Sequence, residues 1–180
     1  TIPEVLPQIE ALIERGASVI PILSYSVAHT DTRFGRAQDI RQKLAEMTGA
    51  EVIDTISKAE PIGPKRLLDC LVIAPCTGNT LSKLALGITD TPVLMAAKAQ
   101  LRNGRPLVIG IATNDGLSGS ARNIATLLAR KNVYFIPYGQ DDPKSKPTSL
   151  VARMCDTERT VEEALAGKQV QPLLVEKWKD

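Results

Sequence analysis

Leu71-Val72-Ile73-Ala74, Val93-Leu94-Met95-Ala96, Leu107 to Ala112 and Val133 to Ile136 are short apolar runs without alternation. A strand of that composition is stable only when both of its faces are covered, which is the situation inside a parallel sheet. Between the runs lie helical stretches, Asn79 to Leu86 and Ser120 to about Arg130. Strands alternating with helices imply an α/β chain with a mainly parallel sheet and helices on both faces. Right-handed crossovers then gather the strand C-termini on one edge, and open sheets of this kind bind ligands there.

The N-terminal half carries the pattern less regularly. Pro3 suits a first helical turn, Val5, Leu6, Ile9, Leu12 and Ile13 share one face, and Gly16 stops the helix. Ser18 to Leu23 reads as a strand, with Pro21 arguing for an edge or a bulge. Ser24 to Gly35 reads as a polar loop, Arg36 to Thr48 as a helix burying Ile40, Leu44 and Met47, and Glu51 to Ile53 as a short strand. Glu60-Pro61-Ile62-Gly63-Pro64 is expected to break regular structure. Near the C-terminus, Tyr138 to Thr148 reads as a polar loop and Ser149 to Leu165 as mostly helical, closed by Gly167.

Composition removes several function classes. The net charge of +2 is too small for a nucleic-acid or membrane-surface binder. No apolar run reaches the length of a spanning helix, and no signal peptide opens these residues. Cys70, Cys76 and Cys155 show no CxxC spacing, and His29 stands alone among the 180 residues, so neither a disulfide framework nor a metal site is expected. A reducing, cytoplasmic setting follows.

Small polar residues follow the predicted strands. They are Ser24 to Ser26 with Thr30 to Gly35, then Pro75 to Thr80, then Ala97-Lys98, then Thr113 to Ser120. Thr77-Gly78-Asn79-Thr80 is the most informative. Its glycine permits close backbone approach, and free N–H groups at a helix N-terminus suit a phosphate or a ring carbonyl. Thr77 or Asn79 could equally cap the helix, but together the strand ends favour a ligand crevice. Thr113 to Ser120 fits an anion-binding loop, a lid or a plain turn. Neither a dinucleotide fingerprint nor a Walker A sequence is present. His29 reads as a surface histidine and Cys76 as a packing residue. Lys98 and Arg33 are open between a ligand carboxylate or phosphate and solvent.

These segments also carry a resemblance. Ser24-Tyr25-Ser26-Val27 with Thr30 to Gly35, Ala74 to Ala85, Pro92 to Ala99, Leu101 to Pro106, Tyr134 to Asp141 and Pro147 to Met154 together resemble the B-type subunits of the dipicolinate synthases of spore-forming bacteria. That group lies within the wider flavoprotein family of homo-oligomeric flavin-containing cysteine decarboxylases and flavin prenyltransferases. The resemblance covers nearly the whole chain. It implies a Rossmann-like three-layer α/β/α fold over residues 1–180 that binds FMN. It also implies an oxidoreductase role: with the A-type dipicolinate synthase subunit, oxidising dihydrodipicolinate, a small dicarboxylate, to dipicolinate in the mother cell of a sporulating bacterium. NADP is the candidate final electron acceptor, and a homo-oligomer is expected. Two alternatives stay open: a non-catalytic flavin-binding partner subunit, and a decarboxylase- or prenyltransferase-like enzyme.

The resemblance carries over residue by residue. The family's Pro-Ala-Ser-Ala-Asn-Thr segment, which touches flavin, matches Pro75-Cys76-Thr77-Gly78-Asn79-Thr80. Its Lys-Ile-Ala-x-Gly-Ile-Ala-Asp run matches Lys83 to Asp90. Ser24 and Thr30 are the candidates for the hydroxyl near the flavin phosphate. Ala96 and Ala97, at a predicted strand end, join the cofactor-binding set, and Arg33 and Lys98 are the substrate-binding candidates. No catalytic residue is named. Three departures matter: the decarboxylases' Pro-x-Met-Asn-x-x-Met-Trp segment is replaced by Met95 to Leu101, their catalytic histidine has no counterpart, and the family's opening strand and phosphate loop are expected to precede Thr1.

Overall fold

The computed structural model describes residues 2–31 and 35–176. The helices are α1 (Ile2–Glu14), α2 (Tyr25–His29), α3 (Ala37–Thr48), α4 (Ile56–Ala59), α5 (Gly78–Leu86), α6 (Pro92–Arg102), α7 (Ala121–Leu128) and α8 (Thr157–Leu165). The strands are β1 (Leu71–Cys76), β2 (Leu107–Thr113), β3 (Val133–Phe135), β4 (Tyr138–Gly139) and β5 (Leu150–Ala152).

β2 is the hub of the sheet. β1 runs parallel along one side of it, with Leu71, Val72 and Ile73 opposite Leu107, Val108 and Ile109. On the other side, β3 pairs parallel with its first half and β5 antiparallel with its last residues, Ala112 and Thr113. β4 pairs antiparallel with β5. The sheet is therefore mixed: its β1–β2–β3 portion is parallel as expected, and the remainder is not. Every residue from Leu107 to Ile111 is buried, as an unbroken apolar run requires. β1 continues past Pro75 to Cys76, and its register against β2 shifts there, because proline offers no N–H to the ladder.

The crossovers β1–α5–α6–β2 and β2–α7–β3 join parallel strands in sequence, so α5, α6 and α7 cover one face. α1 and α8 pack together as a second pair, tied by Arg15 to Glu158 and Glu162 at 2.7 Å each. The apolar face of α1 is half-buried throughout, with no residue fully enclosed. Leu6 and Ile9 join a small second core of Leu23, Ala28, Leu44 and Val52.

Several elements differ from the sequence expectation. Val93 to Ala96 is not a strand but the first turns of α6. The Thr91 hydroxyl accepts from the Leu94 N–H at 3.2 Å, and Pro92 occupies the first turn. A four-residue apolar run has no period of its own, so this cap decided between strand and helix. Ser149 to Leu165 divides into β5, a 3-10 turn at Met154–Asp156 and α8. The two N-terminal strands reduce to a single parallel bridge, Ile22 with Ile53. The loop after Leu23 contains α2, and Glu60–Ile62 forms a 3-10 turn that buries Ile62.

The family-like run Lys83 to Asp90 has a structural explanation. Gly87 sits at φ 74, and the N–H groups of Gly87 and Ile88 bond back to Leu84 and Lys83 oxygens, closing α5. Lys83 then pairs with Asp90 at 2.6 Å across that turn.

Gln169 shields the outer edge of β3. Its carboxamide oxygen accepts from the Phe135 N–H and its nitrogen donates to the Phe135 carbonyl, both at 2.8 Å, as a paired strand would. Gln169→Ala leaves two backbone groups of a buried residue unmet. It should lower the unfolding free energy by about 2 kcal/mol, read by urea denaturation. Lys168→Ala, beside it on the surface, should change it by roughly 0.5 kcal/mol or less.

Candidate active site

The parallel pair β1 and β2 ends on one edge, and the two segments leaving it meet. Thr77 follows β1 with extended backbone, and its carbonyl accepts the first helical bond of α5 from Leu81 N–H at 2.9 Å. The N–H groups of Gly78, Asn79 and Thr80 lie in the first turn and have no helical acceptor. The Thr77 side chain makes no cap bond, so the capping explanation for that residue does not hold. Thr77 and Asn79 are exposed, and the helix presents its positive end to the edge.

Gly78 is required by close approach. A Cβ at that position would lie 2.8 Å from Thr113 Oγ1, 3.1 Å from Asp115 Oδ1 and 3.1 Å from Ser120 Oγ. Those three groups form a cluster of their own. Thr113 Oγ1 donates to Asp115 Oδ1 at 2.5 Å and Ser120 Oγ donates to the same oxygen at 2.8 Å. These bonds, Thr113 first and Ser120 second, hold the Asp115 carboxyl below the usual carboxylate range. The backbone N–H groups of Ser118 and Ser120 close the turn on the Asp115 carbonyl.

The Thr113 to Ser120 segment is thus a turn built around its own carboxylate. The anion-loop alternative fails on charge, since a fixed carboxylate already fills that position. A second loop braces it: Thr148 Oγ1 donates to the Asn114 carbonyl at 2.6 Å, and Leu117 N–H donates to the Thr148 carbonyl at 2.9 Å. Gly116 leaves room for Leu150, whose Cβ would stand 2.7 Å from an added methyl.

The other sequence candidates are distributed differently. Ser24 caps α2, its oxygen accepting from Val27 N–H at 3.4 Å, and Thr30 terminates the same helix through its own N–H to Ser26. Cys76 is fully buried, and burial pushes its thiol up to about 12. His29 is exposed on α2 and stacks on Tyr25. Ala96 and Ala97 are wholly enclosed in the main core inside α6, so the strand end that would have offered them to a cofactor does not exist. Lys98 is also on α6. It lines a cleft of about 180 Å³ with Glu60, Pro64, Met95, Ala99 and Arg102, toward the edge where β1 and β2 begin. It therefore stands on a helix and not at a strand end. Arg33 lies outside the described residues.

Sequence reasoning missed the roles of Asp115, Thr113 and Ser120. The available signal was an acid with hydroxyl residues two before and five after it, next to Gly116 and Gly119.

A family model described as Flavoprotein matches residues 1–162. The B-type dipicolinate synthase subunit of Bacillus subtilis (strain 168) is 53% identical over 178 residues, covering 99% of this chain and 89% of the relative. The crystal structure of the B-type dipicolinate synthase subunit from Bacillus halodurans superposes with a TM-score of 0.89 at 55% identity, covering 97% of this chain and 89% of that one. A flavin prenyltransferase of Archaeoglobus fulgidus is 31% identical over 134 residues, covering 72% of this chain and 70% of the relative.

The cysteines offer a direct check on the site's chemistry. Cys155 is exposed, whereas burial pushes the Cys70 and Cys76 thiols up to about 12. At about pH 8 a thiol-specific disulfide reagent should titrate roughly one group quickly in the native protein, and all of them only in denaturant. Cys155→Ser should remove the fast phase.

Proposed function

The chain belongs to the flavoprotein family, and from that membership we propose that it binds FMN as the B-type subunit of a dipicolinate synthase, an oxidoreductase working with an A-type partner. The observation that carries this reading is the 53% identity with the B-type subunit of the Bacillus subtilis synthase over 99% of the chain. The substrate would be dihydrodipicolinate. Two electrons and two protons leave it as the ring becomes aromatic.

The donor set at the start of α5 suits a flavin ring. The first-turn backbone N–H groups of Gly78, Asn79 and Thr80, unpaired among the described residues, with the Thr77 hydroxyl and Asn79 carboxamide, match a ring edge bearing carbonyl oxygens. Asp115, ionised beside them, makes that spot unfavourable for a phosphate, so the ring end belongs at α5. Ser24 and Thr30 remain the candidates for the phosphate side, and Arg33 for a substrate carboxylate. Bound there, a flavin supplies the two-electron acceptor that aromatisation needs. The chain's own residues orient the ring by hydrogen bonds and hold a fixed charge next to it.

Decarboxylase-type chemistry is less favoured. The residues it could draw on are Cys76, whose thiol is buried and pushed up to about 12, and His29, exposed and stacked on Tyr25. NADP as terminal acceptor, a homo-oligomer and the cytoplasm of a sporulating mother cell complete the proposal. Leu86 and Ile88, exposed at the end of α5, are apolar surface that a second copy would cover.

The test is an FMN titration of the full chain, followed by dipicolinate formation with and without the A-type partner. The Thr77→Ala, Asn79→Ala double variant should weaken FMN binding by about tenfold or more, the worth of one or two lost hydrogen bonds. Lys98→Ala, toward the opposite edge, should leave affinity unchanged. An absence of FMN affinity in the intact protein would overturn the cofactor assignment. Product formation independent of FMN would overturn its role as electron acceptor.

A further inference from the structure

Asp115 is charged, held in place by hydrogen bonds and, among the described residues, not paired with a cation. Its Oδ1 accepts from both the Thr113 and Ser120 hydroxyls, and Ser120 is buried. Neutral hydroxyls hold its carboxyl below the usual range, and among the described residues it makes no ion pair. An ion pair would cancel its field at short range, but two hydroxyl dipoles leave most of it in place. The same cluster is pressed against Gly78, within 3.1 Å of where a Cβ would stand. The negative charge therefore borders the positive end of α5, while its hydrogen bonds go to hydroxyls of its own turn, so neither consumes the other.

We propose that Asp115 is a specificity-determining residue of the flavin site: held against Gly78 by Thr113 and Ser120, its charge bars anions from the start of α5 and disfavours negative charge on the ring bound there. The inference deepens the proposed function and rests on its placement of the ring at α5. It has a consequence for the substrate: a dicarboxylate must dock with its carboxylates turned away from the Asp115 side. It also follows that removing the charge should favour any form of the bound ring that carries negative charge.

Sulfite tests this without turnover. Its sulfur lone pair bonds to the oxidised ring, the ring system takes up the negative charge, and the visible absorption bleaches. Asp115→Asn keeps an oxygen that can accept from both hydroxyls while deleting the charge. The FMN-loaded full-length variant should stay folded, bind FMN at least as tightly as the wild type, and bind sulfite about tenfold more tightly, the effect of one charge acting in a partly solvated site. Normal FMN binding with sulfite affinity unchanged within about twofold would overturn the inference. If Asp115→Asn does not fold, Ser120→Ala decides on the same readout. Losing one anchor lets the carboxylate turn to solvent, so a rise of a few fold supports the inference and no rise overturns it. The outcomes separate from those of the site itself. If the Thr77→Ala, Asn79→Ala double variant binds FMN like the wild type, the placement of the ring at α5 has failed. If it loses FMN affinity while Asp115→Asn leaves sulfite binding unmoved, only the role of Asp115 has failed.

Discussion

One strand has to satisfy three neighbours. β2 pairs with β1 along one side, and divides its other side between parallel β3 and antiparallel β5. That arrangement demands an apolar residue or a glycine at every buried position. Gly110 marks the tightest point: a methyl there would stand 3.1 Å from Ile136 and 3.2 Å from both Ala74 and Met154. The chain turns at Ile136 and Pro137 so that β3 ends where β5 begins to pair. The site inherits this geometry. Because β5 meets the last two residues of β2, the loop leading into β5 is brought onto the turn that follows β2, and Thr148 ties the two together.

The pairing of β1 with β2 has the matching effect on the other side. Two parallel strands that end together deliver α5 and the Asp115 turn to the same place, and Gly78 sets how closely they approach. The result is a helix N-terminus and an ionised carboxylate side by side, each stabilised separately. Electrostatically that is an asymmetric donor surface. It offers N–H groups to a neutral acceptor and rejects an anion, unlike a phosphate loop, where every local charge and dipole has the same sense.

Much of the frame is legible in the sequence because it is written in local signals. The runs Leu71 to Ala74, Leu107 to Ala112 and Val133 to Ile136 can be stable only as covered strands, and Gly49 and Gly87 mark helix ends with positive φ. Where no local signal exists, expectation and structure part. Val93 to Ala96 has the composition of a buried strand, and only Thr91-Pro92 ahead of it tips it into a helix. β5 is three residues, and one of its two partners, β2, is distant in sequence. In the site, Thr77 to Thr80 is recognisable as a glycine-containing helix start. The importance of Asp115 is not, because its meaning lies in contact with Gly78 across the sheet edge. Lys98 stands on α6 and not at a strand end for the same reason.

The family-like segments of this chain separate into those with a structural use and those left for a ligand. Lys83 to Asp90 is accounted for by a glycine-closed helix end and an ion pair across it, with no need of a ligand. Thr77 to Thr80 is the opposite case: among the described residues its donors have no structural use, since the hydroxyl of Thr77 caps nothing and the first-turn N–H groups are unmet. A helix end exposed in that state is less stable than a capped one, by about 1 kcal/mol. Meanwhile the thiol next to it is buried and pushed up to about 12, and the single histidine is elsewhere. Among the described residues, the donors of Thr77 to Thr80 are therefore left for a ligand, while the thiol beside them is closed off by burial.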